Sequence, residues 1–251
     1  MKRHFIFHQT LFFIYLSGFI LLILILHFST DNYAGFGKSD LLSQFWYYIT
    51  VTGSPFGFIL ILIITAFVIF VKRKSTLSKK HVILFFSSVI LLQILLTSGL
   101  LLIKNYYKKE RPYQKFIFEK GLNEQDKTKF YSLPEDGKYD FLKSNVNREN
   151  FNDVNKQIFE SWLNEKAYSF PSGHSETSFF AAIILSFVIL KTASGRWKYI
   201  SVVPVIWCIL VSLSRVFAGF HYSIDVIAGA FTGLTFGLLL VSNKNFTKLI
   251  S

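Results

Sequence analysis

Residues 81–103, HVILFFSSVILLQILLTSGLLLI, hold no Asp, Glu, Lys or Arg, and as a helix they are long enough to cross about 30 Å of hydrocarbon. A stretch this apolar has no place on a wetted surface, so it decides the class of the chain. Residues 4–30 and 41–71 are free of the same four residue types. Composition agrees: 51% of the 251 residues are hydrophobic and 29 are Phe, too apolar for a soluble domain.

Three shorter runs follow, residues 177–190, 199–214 and 226–243, bordered by Glu176, Arg215 and Asp225 respectively. Extension by a turn or two brings each to membrane thickness, which makes six expected spans. Within 41–71, Gly53, Ser54 and Pro55 place the true helix after the proline, with Phe45 to Tyr48 as interfacial aromatics and a first loop over about 28–54. The first run has too long an apolar core for a cleaved signal peptide, and no small-x-small cleavage site follows it cleanly, so it is expected to stay as a span.

Six spans put both termini on one side. Lys2, Arg3, Lys72, Arg73, Lys74, Lys79, Lys80, Lys191, Arg196, Lys198, Lys244 and Lys248 fall on that side, against only Lys38 in the short loops opposite. Positive residues collect in cytoplasmic loops, so both termini are expected in the cytoplasm of a bacterial inner membrane. The net charge of +12 is therefore a topology signal, and no nucleic-acid partner is expected. No obligate protein partner is evident. Cys208, the single cysteine, lies in an apolar run without the neighbours of a disulfide or a metal site.

Residues 104–168, with 13 Lys or Arg against 11 Asp or Glu, then lie outside, and no internal repeat or low-complexity tract interrupts the chain. The expected fold is all-α, a six-span transmembrane helix bundle with a polar, partly helical cap on the outer, periplasmic side. Residues 1–251 form a single integral membrane domain that contains the cap.

Ionisable groups at the ends of apolar runs are functional candidates, because they are costly near a bilayer. Here they gather on one side. Lys104 and Arg111 are seven residues apart, close to two helical turns, so both could point one way before Pro112 ends the helix. Alone, the pair would read as cations snorkelling at the membrane edge. Pro171, Ser172, Gly173 and His174 open the fourth span, where a turn into a helix aims backbone N–H groups and the positive dipole end outward, as phosphate binding requires. Alone, His174 reads as a structural histidine, and Glu176 as a favourable acid in the first turn. His221 and Asp225 are four apart, so on a helix the carboxylate could accept the Nδ1 proton and leave Nε2 free to attack. Asp225 as a partner for Arg215 alone is the plainer reading, but it leaves His221 unexplained. Gly219 lets the chain between Arg215 and His221 turn tightly enough to bring the guanidinium over the site. Spacing does not decide which histidine attacks.

Together, KxxxxxxRP at residues 104–112, PSGH at 171–174 and SRxxxGxHxxxD at 214–225 resemble the three-part signature of the type 2 phosphatidic acid phosphatase superfamily, matching every motif position. The resemblance covers residues 100–230 and is greatest to the bacterial phosphatidylglycerophosphatase B group. It implies a lipid phosphatase in which His221 attacks phosphorus, Asp225 orients it, and His174 protonates the departing oxygen and then activates water. It also implies that Lys104, Arg111, Arg215, Ser172 and Gly173 hold the phosphoryl oxygens, without metal or other cofactor. The expected substrate is a phospholipid or polyprenyl phosphate: phosphatidylglycerol phosphate, phosphatidic acid, lysophosphatidic acid, diacylglycerol pyrophosphate or undecaprenyl pyrophosphate. The alternative within the family is a dedicated undecaprenyl pyrophosphate phosphatase of cell-wall lipid-carrier recycling; the competing classes are an anion or lipid transporter, a vanadium haloperoxidase and an inactive scaffold.

Overall fold

The computed structural model describes residues 2–28, 41–72, 77–165 and 168–250; Lys38, Arg73 and Lys74, used above for orientation, lie outside the described residues. Helices account for the fold, and no strand occurs among the described residues. The membrane part comprises α1 (Lys2–Phe28), α2 (Leu41–Thr52), α3 (Pro55–Lys72) and α4 (Lys79–Tyr107). Between α4 and the rest of the bundle come α5 (Pro112–Gly121), α6 (Glu124–Ser132), α7 (Glu135–Asn145) and α8 (Lys156–Asn164). The bundle then resumes with α9 (Gly173–Thr192), α10 (Val203–Phe217), α11 (Ser223–Ser242) and a short α12 (Lys244–Lys248).

Five helices are long and apolar enough to cross a membrane, and α2 with α3 makes a sixth candidate bent by 67°. The sequence placed residues 41–52 in a loop, but they form α2. Hydrocarbon offers the backbone no hydrogen bonds, so an apolar segment such as LLSQFWYYITVT satisfies itself by coiling. Pro55 then starts α3 at a position where its missing N–H costs nothing.

α9 is the axis of the bundle. It is 83% buried over its apolar window, against 22% for α4, and it packs on α1, α3, α4, α10 and α11. A helix apolar on every side belongs inside. Its closest neighbour is α11, whose Gly229, Gly233 and Gly237 lie one turn apart. A Cβ at Gly229 would stand 2.1 Å from the Ser172 carbonyl oxygen, and one at Gly233 2.1 Å from that of Glu176. The two backbones therefore touch, which only glycine permits. Where polar side chains enter the bundle they pair: Tyr15 Oη with Ser186 Oγ at 2.8 Å, and Thr50 Oγ1 with Ser214 Oγ at 2.6 Å.

α5 to α8 have a separate apolar core, built on Tyr113, Ile117, Phe130, Phe151, Phe159 and Trp162. Ala218 and Phe220, from the turn between α10 and α11, belong to that core. Trp162 stacks on Tyr113 and donates its indole N–H to the Ala218 carbonyl at 2.7 Å. α5 to α8 are thereby fastened to the bundle at the end where α4 stops and α9 begins.

Candidate active site

The motif residues meet at that same end, around a cavity of about 520 Å³ walled by Lys104, Arg111, Gly173, His174, Arg215 and His221. Lys104 is in the last turn of α4. The helix ends at Tyr107, because Lys108 takes a left-handed conformation with φ of 46°. Arg111, extended as a residue before proline tends to be, caps α5, and Pro112 is that helix's first residue. Lys104 and Arg111 thus do not share a helix face as the spacing suggested, and Pro112 opens a helix instead of ending one. They converge across the turn on one acceptor: the Tyr168 carbonyl takes a bond from Lys104 Nζ at 2.5 Å and from Arg111 Nη2 at 3.4 Å.

Gly219, with φ of 71°, turns the chain after α10 as expected. The Phe220 and His221 N–H groups both donate to the Arg215 carbonyl, at 3.0 and 3.1 Å, which fixes His221 beside Arg215. The Arg215 guanidinium lies 4.0 Å above the Phe220 ring, and its buried Nε has no hydrogen-bond partner among the described residues. Arg111 Nη1 is 3.3 Å from His221 Nε2 and donates to the Phe220 carbonyl at 3.0 Å. Burial, and after it Arg111 and Arg215, holds the His221 imidazole well below its usual range, so it is neutral in neutral solution.

A direct His221–Asp225 bond does not form. His221 precedes α11, and its Nδ1 is 3.8 Å from Asp225 Oδ2. Ser169 stands between them: its hydroxyl donates to Asp225 Oδ2 at 2.5 Å and lies 3.3 Å from His221 Nδ1. Asp225 is further held by the Tyr222 N–H at 3.0 Å and by Lys109 Nζ at 2.6 Å.

Ser172 does not line the cavity. It is fully buried as the N-cap of α9, its N–H donates to the Asp225 carbonyl at 2.9 Å, and its hydroxyl accepts from Ser175 N. Gly173 and His174, the first residues of α9, line the cavity, and N–H groups in that first turn have no intrahelical acceptor. His174 is half-buried on the cavity wall.

Sequence reasoning missed Glu165. Its carboxylate spans the two guanidiniums, Oε1 3.1 Å from Arg111 Nη2 and Oε2 3.4 Å from Arg215 Nη2. Burial alone would raise its pKa; Arg111 and Arg215, with His174 and Lys104, outweigh that and hold it at about 2. One acid among the 11 of the cap gave no signal. Ser169 and Lys109 were missed too, although Ser169 lies only two residues before the PSGH motif.

The family model for the PAP2 superfamily matches residues 81–247, more than half of the chain. The chain belongs to the PAP2 superfamily. Among curated relatives, it is 30% identical over 95 residues to phosphatidylglycerophosphatase B of Bacillus subtilis, covering 37% of this chain and 45% of that protein. It is 37% identical over 94 residues to lipid A 1-phosphatase of Rhizobium johnstonii, covering 36% and 34%. It is 41% identical over 76 residues to undecaprenyl-diphosphatase of Sulfolobus acidocaldarius, covering 30% and 32%. The matched region spans less than half the length of each relative. The fold is that of the crystal structure of a transmembrane PAP2-type phosphatidylglycerolphosphate phosphatase from Bacillus subtilis, with a TM-score of 0.51 and 21% identity over 94% of this chain and 96% of that one. Fold and family agree that this is a multi-pass membrane PAP2 protein.

Proposed function

We propose that the chain is a lipid phosphate phosphatase working through a phosphohistidine at His221. One observation carries the reading: Arg111 and Arg215 hold a single carboxylate, that of Glu165, while Arg111 also touches the neutral Nε2 of His221. An anion seat built of two guanidiniums therefore abuts an uncharged nucleophile. A substrate phosphate displaces Glu165 and takes bonds from Arg111, Arg215, Lys104 and the Gly173 and His174 N–H groups. His221 Nε2 then forms the bond to phosphorus as the ester P–O bond breaks, and His174 protonates the departing alkoxide. His174 next takes a proton from water, whose oxygen attacks phosphorus and releases inorganic phosphate and free Nε2. Asp225, acting through Ser169, stabilises the imidazolium. Three cations and a helix terminus neutralise the charge that develops in transit, the main requirement of phosphoryl transfer, so no metal is needed.

The lipid enters sideways. The cavity wall includes Phe58 of α3 and Ile94 and Leu101 of α4, and the last two are half-exposed on the apolar surface of the bundle. A tail can remain in the bilayer while its phosphate reaches the cations. Phosphatidylglycerol phosphate is the substrate we favour, with phosphatidic acid, lysophosphatidic acid, diacylglycerol pyrophosphate and undecaprenyl pyrophosphate as further ones. The charge pattern supports cytoplasmic termini and a periplasmic site, with residues 104–168 as the outer cap of a single domain.

The test is phosphate release by purified protein in detergent on phosphatidylglycerol phosphate, phosphatidic acid, diacylglycerol pyrophosphate and undecaprenyl pyrophosphate, with and without chelator. Release independent of chelator and abolished by His221→Ala is expected. Hydrolysis retained in that variant removes the assigned nucleophile, and no release from any lipid favours a transporter.

A further inference from the structure

The cavity continues along α4 and α9 beyond the cations, where apolar walls would suffice for a tail, yet Gln93, Thr97, Glu176 and Thr177 line it. Gln93 is 7% exposed although α4 faces lipid along most of its length, and Glu176 is fully buried. Gln93 Nε2 lies 3.0 and 3.3 Å from the two Glu176 carboxylate oxygens, 3.0 Å from Thr177 Oγ1 and 3.1 Å from Thr97 Oγ1. Thr177 Oγ1 donates to Glu176 Oε2 at 3.1 Å. The acid in the first turn of α9 is thus turned towards α4. Gln93 Oε1 is buried without a partner among the described residues.

The cluster is rich in acceptors and short of donors. A primary amide has two N–H bonds to share among these four oxygens, while its own carbonyl meets no donor among the described residues. A clamp serving only to join α4 to α9 would be closed on itself; this one leaves an acceptor open, and an unmet buried acceptor is costly. Thr177 follows His174 by three residues, about 4.5 Å along the helix axis. That is the reach of a few covalent bonds from the phosphate ester into the lipid.

We infer that Gln93 and Glu176 form a subsite for a hydroxyl group on the lipid, borne a few bonds on the tail side of the phosphate. It deepens the phosphatase reading on which it rests. A monoacylglycerol phosphate carries such a hydroxyl, as does the bridging glycerol of phosphatidylglycerol phosphate; phosphatidic acid has an ester oxygen there, and a polyprenyl phosphate has hydrocarbon alone.

The experiment compares kcat/KM for phosphate release from 1-acylglycerol 3-phosphate and from its 2-deoxy analogue, which differs only in lacking the hydroxyl. The intact enzyme is expected to favour the hydroxyl lipid at least about tenfold. In Gln93→Leu the ratio falls to near one. Equal rates on the two lipids in the intact enzyme, or an unchanged ratio in Gln93→Leu, overturns the subsite and leaves the phosphatase intact. Because the first comparison needs no variant, a folding defect in Gln93→Leu does not shield the inference. Absence of release from either lipid by the intact enzyme would instead sink both the subsite and the phosphatase reading.

Discussion

Ser169 stands where a histidine–aspartate bond was expected, and that alters what a substitution there does. Ser169→Ala keeps every charge but breaks the connection from Asp225 to His221 Nδ1, so kcat should fall by about tenfold to a hundredfold, the range for a hydrogen bond to a charged group. Ser169→Thr should restore most of it, since the hydroxyl is kept. A steady-state assay on one lipid decides; a mere KM change in the alanine variant would argue against the relay. Glu165 poses a different question, because it occupies the seat proposed for phosphate. Glu165→Gln should bind inorganic phosphate about tenfold more tightly, read as product inhibition. The same carboxylate couples stability to pH. Its folded pKa of about 2 lies below the ordinary 4.5, so its stabilisation is complete above the ordinary value and is lost as pH falls from there towards 2. In Glu165→Gln that loss between pH 4.5 and 2 should shrink, and detergent-phase melting temperatures across this interval measure it.

At the level of elements, the spans were readable because a long charge-free run in hydrocarbon has one stable solution. Where the backbone could choose, the sequence was ambiguous. The seven-residue interval from Lys104 to Arg111 fits one helix as well as it fits a helix, a left-handed Lys108 and a new start at Pro112. Contacts through carbonyls, such as Tyr168 holding Lys104 and Arg111, carry no side-chain signature at all. The glycine ladder on α11 was visible as Gly229, Gly233 and Gly237 but was not read as a packing face. Its consequence can be measured. Gly233→Ala drives a methyl group into the Glu176 carbonyl and should destabilise the bundle by about 1–3 kcal/mol. Gly229→Ala, pressing on the Ser172 carbonyl at the head of α9, should also lower activity, because His174 and the N–H groups proposed to bind phosphate begin there. A melting temperature and a rate separate the two.

For the molecule as a whole, two apolar cores share one turn. Ala218 and Phe220 belong to the cap core while Arg215 and His221, on either side of them, face the cavity. Trp162 is the hinge pin of this arrangement, so Trp162→Ala should cost about 3–5 kcal/mol and reduce activity together with stability. Intact activity in a destabilised variant would mean that the turn keeps its shape without the cap. The half-exposed Ile94 and Leu101 on the cavity wall have a consequence of another kind. A substrate that arrives between helices never passes through bulk water, so the enzyme meets it at its density within the two-dimensional film. Velocity should then follow the mole fraction of lipid in the micelle. Diluting a fixed amount of substrate with more detergent should slow the enzyme even though every molar concentration of reactant stays the same.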